Sequence, residues 1–294
     1  MSISKAERQA VIGSLAAVLI GAGVAWAGSR GSVDLAGLPL FAVCAGLAFV
    51  VQWLVFVPSF LARSEHFFDL TGSLTYLTLV ALVVVATDGG DARTRVLAVL
   101  VAIWALRLGT FLFLRVRSAG RDTRFDAIKQ SFPRFLMAWT LQGLWVFLTL
   151  SAALAAMTGA HREPLGLLAW VGIWTWLAGF AVEAVADAQK RRFRRDPANE
   201  GRFITSGLWA WSRHPNYFGE IVLWIGIALI ASEVLSGWQW VTMVSPLFVI
   251  LLLTRISGVP LLEAQAKRRW GDDPEYRAWR ARTATLVPRP PRDP

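Results

Sequence analysis

Apolar positions along this chain run in long blocks rather than in strict alternation. Eight blocks cover about 11–28, 37–61, 68–87, 96–114, 135–157, 165–186, 218–232 and 237–254, each bounded by charge, Gly or Pro. A helix crossing a bilayer needs about 20 mostly apolar residues. The pattern therefore predicts an all-α, polytopic membrane helical bundle of about eight spans, or seven if one block falls short. The seventh block is the short one and suits a tilted or half-buried helix. The first has Lys5 and Arg8 ahead of it and Ala25, Trp26 and Ala27 at its end, features shared with a secretory signal peptide; it is expected to be a retained span. After the last block, an amphipathic helix is expected over about Leu261–Arg282, then a Pro-rich end. No internal repeat, low-complexity segment or separate soluble domain stands out.

Composition sharpens this. Of 294 residues, 55% are hydrophobic and 17% charged, against about 25% charged in a soluble domain. Mean hydropathy is +0.49. Disorder, a coiled coil and an ordinary soluble enzyme are excluded. The single cysteine, Cys44, excludes an intrachain disulfide and a four-cysteine zinc site. Net charge is +10, and its distribution is uneven: 25 of the 30 Lys and Arg fall in the N-terminus, alternate loops and the tail. The opposite loops hold four, Arg30, Arg93, Arg95 and Arg162, and Arg107 lies inside a span. This is a positive-inside signature rather than a nucleic-acid footprint, and it predicts that both termini are cytoplasmic.

Ionisable residues inside spans are costly and are candidates for function. His66, Asp69, Ser73 and Tyr76 open the third block with spacings that share one helix face. Gln52, Arg107 and Gln142 lie in the second, fourth and fifth blocks. Glu183 and Asp187 are four apart at the end of the sixth; Asn216, Tyr217 and Glu220 open the seventh; Arg255 and Glu263 follow the eighth. Nearly all lie toward the side expected to be cytoplasmic, which predicts a polar cavity open to the cytosol.

The sixth loop carries the strongest signal. Five cations in the six residues Lys190–Arg195 suit a phosphate, a pyrophosphate or anionic lipid. Gly207–Glu220 (GLWAWSRHPNYFGE) follows, with Pro215 placed for a first helical turn and with Asn216 and Glu220 spaced to hold ribose or amide groups. Neither a G-x-G-x-x-G after a strand nor a P-loop is present, so a dinucleotide would sit among helices rather than on a Rossmann sheet. His66, His161 and His214 are scattered, and no metal site is expected.

The block Gly207–Glu220 resembles the C-terminal domain of the steroid 5α-reductase superfamily, nearest its bacterial integral-membrane branch. Phe68–Ser73, Trp104–Leu108, Gly120–Phe125, Leu141–Gly143 and Asp273–Tyr276 agree with it. The resemblance covers about 62–290, leaving 1–61 as a two-helix N-terminal extension and one span beyond the seven usual in the reductases. It implies an inner-membrane, NADPH-dependent reductase of a conjugated C=C bond in a steroid or other lipid, without a nucleic-acid partner. By position it implies cofactor contacts at Arg107, Glu183, Asp187, Arg194, Asn216 and Glu220, with Arg213, His214, Tyr217, Arg255 and Glu263 beside them. The family's ketone-holding Tyr falls at Trp104 and its Glu near Asp69. Asp69 with Tyr76 is therefore the expected proton source, with His66 in reserve, and Gln52, Trp104 and Gln142 are expected to line the lipid pocket. Isoprenylcysteine carboxyl methyltransferases look similar over Arg213, His214, Pro215, Tyr217, Glu263 and Tyr276. That keeps an S-adenosylmethionine-dependent methyltransferase as the alternative and a non-catalytic lipid-binding protein as the third reading.

Overall fold

The computed structural model of the chain describes residues 4–119 and 125–290; Gly120–Arg124, part of the stretch compared above, lies outside the described residues. The helices are α1 (Lys5–Gly28), α2 (Leu40–Leu61), α3 (Phe68–Ala86), α4 (Ala92–Ala119), α5 (Phe132–Thr158), α6 (Leu167–Arg195), α7 (Leu208–Trp211), α8 (Pro215–Ser232), α9 (Val244–Leu251), α10 (Val259–Trp270) and α11 (Pro274–Arg282). Eight helical stretches among the described residues are long and apolar enough to cross a membrane. The protein is an all-α polytopic bundle. A two-residue hairpin, β1 (Asp34–Leu35) with β2 (Leu38–Pro39), precedes α2. Its turn residues Ala36 and Gly37 both have positive φ, as a tight hairpin turn requires.

Three elements differ from the sequence expectation, each for a visible reason. The basic run Lys190–Arg195 is the last stretch of α6 rather than loop. No breaker precedes Asp196 and Pro197, and cations are favourable at a helix C-terminus. Pro215 starts α8 three residues before the apolar block does, so the seventh span reaches 18 residues, about 27 Å. The single amphipathic helix expected over Leu261–Arg282 is two helices. Gly271 ends α10, and Asp273 caps α11 by accepting from the backbone N–H groups of Glu275 and Tyr276, with Pro274 in the first turn.

The chain forms two compact units. The first comprises Met1–Ala169 with Ile230–Ser245. Its core is α5, buried on all sides from Val146 to Thr158, with α1, α2 and α3 packed against it. A helix apolar all round is buried in protein or in lipid, and here the neighbouring helices enclose it. Gly143 permits the approach of α2: a Cβ there would lie 3.1 Å from the Ala48 carbonyl oxygen. Some of the polar groups at α5 are tied down across the bundle. Trp53 donates to Thr140 at 3.1 Å, and Ser151 donates to the Thr242 carbonyl at 2.9 Å.

One end of this unit is held by an ionic lock. Arg93, in the first turn of α4, is 2% exposed. It donates to Glu233 and to the Pro164 carbonyl, each at 2.9 Å, and to the Ile230 carbonyl. Glu233 also accepts from the backbone N–H groups of Gly166 and Leu168 at 3.1 and 2.9 Å. Burial alone would raise the Glu233 carboxyl, but the Arg93 guanidinium and these N–H groups hold it below the usual range. Beside it Asp91 caps α4 through the Thr94 N–H at 2.8 Å, and Arg162 reaches the Thr94 hydroxyl at 2.8 Å.

Replacing Arg93 by Gln is expected to cost about 3 kcal/mol of stability, because it leaves the Glu233 carboxylate without its cation; thermal unfolding in detergent measures it. The depressed Glu233 carboxyl contributes stability that is present above its unfolded value of about 4.5 and is lost as pH falls through the lower folded value. The melting temperature should therefore fall as pH drops below about 4.5, and Glu233→Gln should flatten that part of the profile.

Candidate functional site

The second unit comprises Trp170–Leu229 with Pro246–Pro294. Within it α6 and α8 touch backbone to backbone. A Cβ added at Gly179 would lie 2.5 Å from the Leu223 nitrogen and 2.7 Å from the Gly219 oxygen. One added at Gly219 would lie 2.6 Å from the Glu183 nitrogen, and one at Gly226 would lie 2.6 Å from the Gly172 oxygen. Small residues at such contacts are the membrane solution to close packing. The contact sets Glu183, 2% exposed, and Asp187, 9% exposed, beside the start of α8. Asn216 donates to Asp187 at 3.2 Å. Glu220 follows one turn further along α8. Asp187 and Asn216 are thus brought together, with Glu183 and Glu220 on the same two helices.

A cavity of about 220 Å³ lies in the same unit. Its basic lining is Lys190, Arg194, Arg202, Arg213 and Arg269; its one acidic lining residue is Glu263. Aromatic walls come from Phe203, Trp209, Trp270, Tyr276 and Trp279. Lys190 stands 4.3 Å over the Trp209 ring. Trp209 is fixed by its indole N–H to the Ala186 carbonyl at 3.0 Å, and Trp279 by its own to the Trp209 carbonyl at 3.3 Å. Phe203 meets Tyr276 edge-on at 5.2 Å. The Glu263 carboxylate ties the wall together: His214 at 3.0 Å, Arg213 at 3.4 Å and Arg280 at 3.2 Å converge on it. Tyr217 stacks on His214. Tyr276 is 2% exposed, and its hydroxyl has no hydrogen-bond partner among the described residues. Burial first, and the Glu263 charge second, push the Tyr276 phenol above its ordinary value, so it remains a protonated donor at neutral pH.

In the first unit a cleft of about 30 Å³ is lined by Asp69, Ser73, Tyr76, Trp104 and Gln142 among others, room on the order of one water. The Tyr76 and Trp104 rings meet edge to face at 5.1 Å. Gln142 is held by donating to the Phe68 carbonyl at 2.8 Å. Asp69, Tyr76, Trp104 and Gln142 are therefore neighbours. His66 and Gln52 are not part of this lining: His66 packs on Phe67 at 5.2 Å, and the buried Gln52 donates to Thr75 at 2.8 Å. Arg107 follows Trp104 by one turn on α4 and is half-buried, and Arg255 is exposed in a π-helical stretch, Leu252–Ile256.

Sequence reasoning missed Arg202, Phe203, Trp209, Arg269 and Trp270 as cavity residues. They come from separate segments with no common spacing, and the aromatic richness around 203–211 and 270–279 was the available signal.

An all-α membrane bundle with a cation- and aromatic-lined cavity is thus the class that fold and site define. Residues 55–283 match the family described as protein of unknown function, DUF1295, and the chain belongs to that family. An uncharacterized protein of Schizosaccharomyces pombe is 28% identical over 50% of this chain and 51% of its own length. A Delta(14)-sterol reductase of Methylotuvimicrobium alcaliphilum is 34% identical over 24% of this chain and 20% of its own length. A probable O-methyltransferase of Ustilaginoidea virens is 28% identical over 33% of this chain and 34% of its own length. The chain spans about half or less of the length of each of these relatives. No solved structure matches it.

Gly219→Ala is expected to cost about 2 kcal/mol or more, since its new methyl meets backbone that cannot yield. Gly46→Ala on α2, with nothing within 4 Å of the new methyl, should be neutral or stabilising by up to about 1 kcal/mol. Paired thermal melts check both.

Proposed function

We propose that this protein is an NADPH-dependent membrane reductase that saturates a conjugated C=C bond in a steroid-like or other lipid enone. The observation that carries the reading is the 220 Å³ cavity, where five basic residues and aromatic walls surround a single acid and the unpartnered Tyr276 hydroxyl. Aromatic faces suit planar rings, guanidinium groups suit phosphates, and a buried phenol without a partner suits a polar group of the ligand. The donor set therefore fits a dinucleotide phosphate. The partial match to a Delta(14)-sterol reductase supports the same class.

Lys190 and Arg194 would hold phosphate groups, Arg213, paired with Glu263, would add its charge to the wall, and Tyr276 would hydrogen-bond to the ribose or base. Glu183, Asp187, Asn216 and Glu220 supply amide and carboxylate contacts for the remaining polar edges. NADPH supplies the hydride when bound. Tyr76 and Asp69, which line one small cleft in the first unit, are the groups we assign to hydrogen-bond the enone oxygen and to supply its proton. The uneven distribution of Lys and Arg supports cytoplasmic termini and a cavity facing the cytoplasm.

A second reading has one specific observation behind it. Arg213, His214, Tyr217, Glu263 and Tyr276 all cluster in or beside the cavity, and a probable O-methyltransferase is among the relatives. That combination suits S-adenosylmethionine.

Ligand-induced thermal stabilisation of the detergent-purified protein separates the readings. NADPH at a hundredfold excess over its dissociation constant should stabilise by about 2.7 kcal/mol, with S-adenosylmethionine inert. A shift with S-adenosylmethionine alone overturns the reductase, and a shift with neither favours lipid binding without catalysis. Asp69→Asn should lower enone turnover by about a hundredfold or more while leaving the NADPH shift intact; equal loss of both would remove Asp69 from the proposed chemistry.

A further inference from the structure

The C-terminal strap 283–290 builds a cleft that the reductase reading does not use. The strap is zipped along the segment before α8. Arg213 N–H donates to the Ala284 carbonyl at 2.8 Å, the buried Ser212 hydroxyl to the Leu286 carbonyl at 2.7 Å, and Arg289 N–H to the Trp211 carbonyl at 3.1 Å. This seam, with the end of α11, borders an open cleft of about 480 Å³. Four arginines line it, Arg213, Arg280, Arg282 and Arg289, and among the described residues no acid does. Two of the four are already committed: Arg213 to Glu263 and to the Thr285 hydroxyl at 2.6 Å, and Arg280 to Glu263. Arg282 and Arg289 form no ion pair among the described residues. A second, independent feature points the same way. Thr283, 5% exposed, lines the cleft, and its hydroxyl is buried with no hydrogen-bond partner among the described residues.

Clustered guanidinium groups with a spare hydroxyl and no carboxylate form a receptor for phosphate oxygens. The rim adds an apolar component. Val287 is about half exposed, and so is Trp211, just ahead of α8, which is long and apolar enough to cross a membrane. Tryptophan beside arginine at the start of a membrane helix is the arrangement that meets lipid head groups. We propose that this cleft binds a phosphate group, with Arg282, Arg289 and Thr283 as its dedicated ligands. The phosphate is that of an anionic phospholipid head group or of a small soluble phosphate ester.

The test uses the full chain, purified in a neutral detergent and melted with added phosphatidylglycerol, phosphatidylcholine, glycerol 3-phosphate or inorganic phosphate. Stabilisation by phosphatidylglycerol but not by phosphatidylcholine or the soluble phosphates assigns the site to lipid. Stabilisation by the soluble phosphates assigns it to a free ester. In either case Arg282→Gln with Arg289→Gln should weaken the apparent affinity at least tenfold, and Thr283→Val should weaken it to a smaller degree. The charge-matched pair Arg268→Gln with Arg277→Gln, exposed residues outside the lining, should leave it unchanged. An equal loss in the control pair would show general attraction to a basic surface and overturn the site, as would the absence of any stabilisation. NADPH stabilisation of the Arg282/Arg289 variant should match the unaltered protein, which keeps this site's failure distinguishable from failure of the reductase reading.

Discussion

In lipid, two apolar helices gain little from leaving their solvent, so close association depends on packing that side chains must not obstruct. The contact between α6 and α8 meets that constraint with glycine. Gly179 and Gly219 interlock at one level, and Gly226 faces Gly172 about two turns away. Because the backbones touch, the side chains at the end of this contact have little freedom of position. Asp187 on α6 then meets Asn216 on α8 at hydrogen-bonding distance. The candidate chemistry of the second unit begins from this backbone contact.

Buried charge is handled differently in the two units. In the first, Arg93 and Glu233 are closed on one another, and backbone carbonyl and N–H groups take up most of their remaining hydrogen-bonding capacity. Such a lock is costly to break, and with Arg93 2% exposed its charges face one another rather than outward. In the second unit Glu263 likewise gathers His214, Arg213 and Arg280, but it does so at the edge of an open cavity. The two sets have similar chemistry, and it is the space beside them that makes one a fastening and the other a candidate site.

The spans were legible because a bilayer demands long apolar runs, and eight such runs return as eight helical stretches. Boundaries followed local chemistry that was also on the page: Pro215 as a helix start, and Gly271 with Asp273 and Pro274 as a stop and restart. Lys190–Arg195 reads as loop by its charge, but without a breaker before Asp196 and Pro197 the helix runs through it. Side-chain roles were less legible. Gln52 has the depth of a pocket residue, yet its amide nitrogen is taken up by Thr75. Phe203, Trp209 and Trp270 were invisible as a set because the α10–α11 turn and the segment before α8 meet only in three dimensions.

The cavity's charge balance constrains what can occupy it. Five basic residues line it with one carboxylate, and that carboxylate already serves Arg213 of the five, Arg280 from outside the lining, and His214. Like charges held together on a partly desolvated wall repel, and the repulsion is relieved by an anion that brings its own oxygens. A ligand with several phosphate charges offsets this more fully than a singly charged or cationic one. S-adenosylmethionine carries a sulfonium centre and would meet the Lys190 and Arg194 side with like charge. It would need the aromatic walls, and Glu263, to compensate. The balance of charge therefore argues for a phosphorylated dinucleotide, while the aromatic faces alone would accept either.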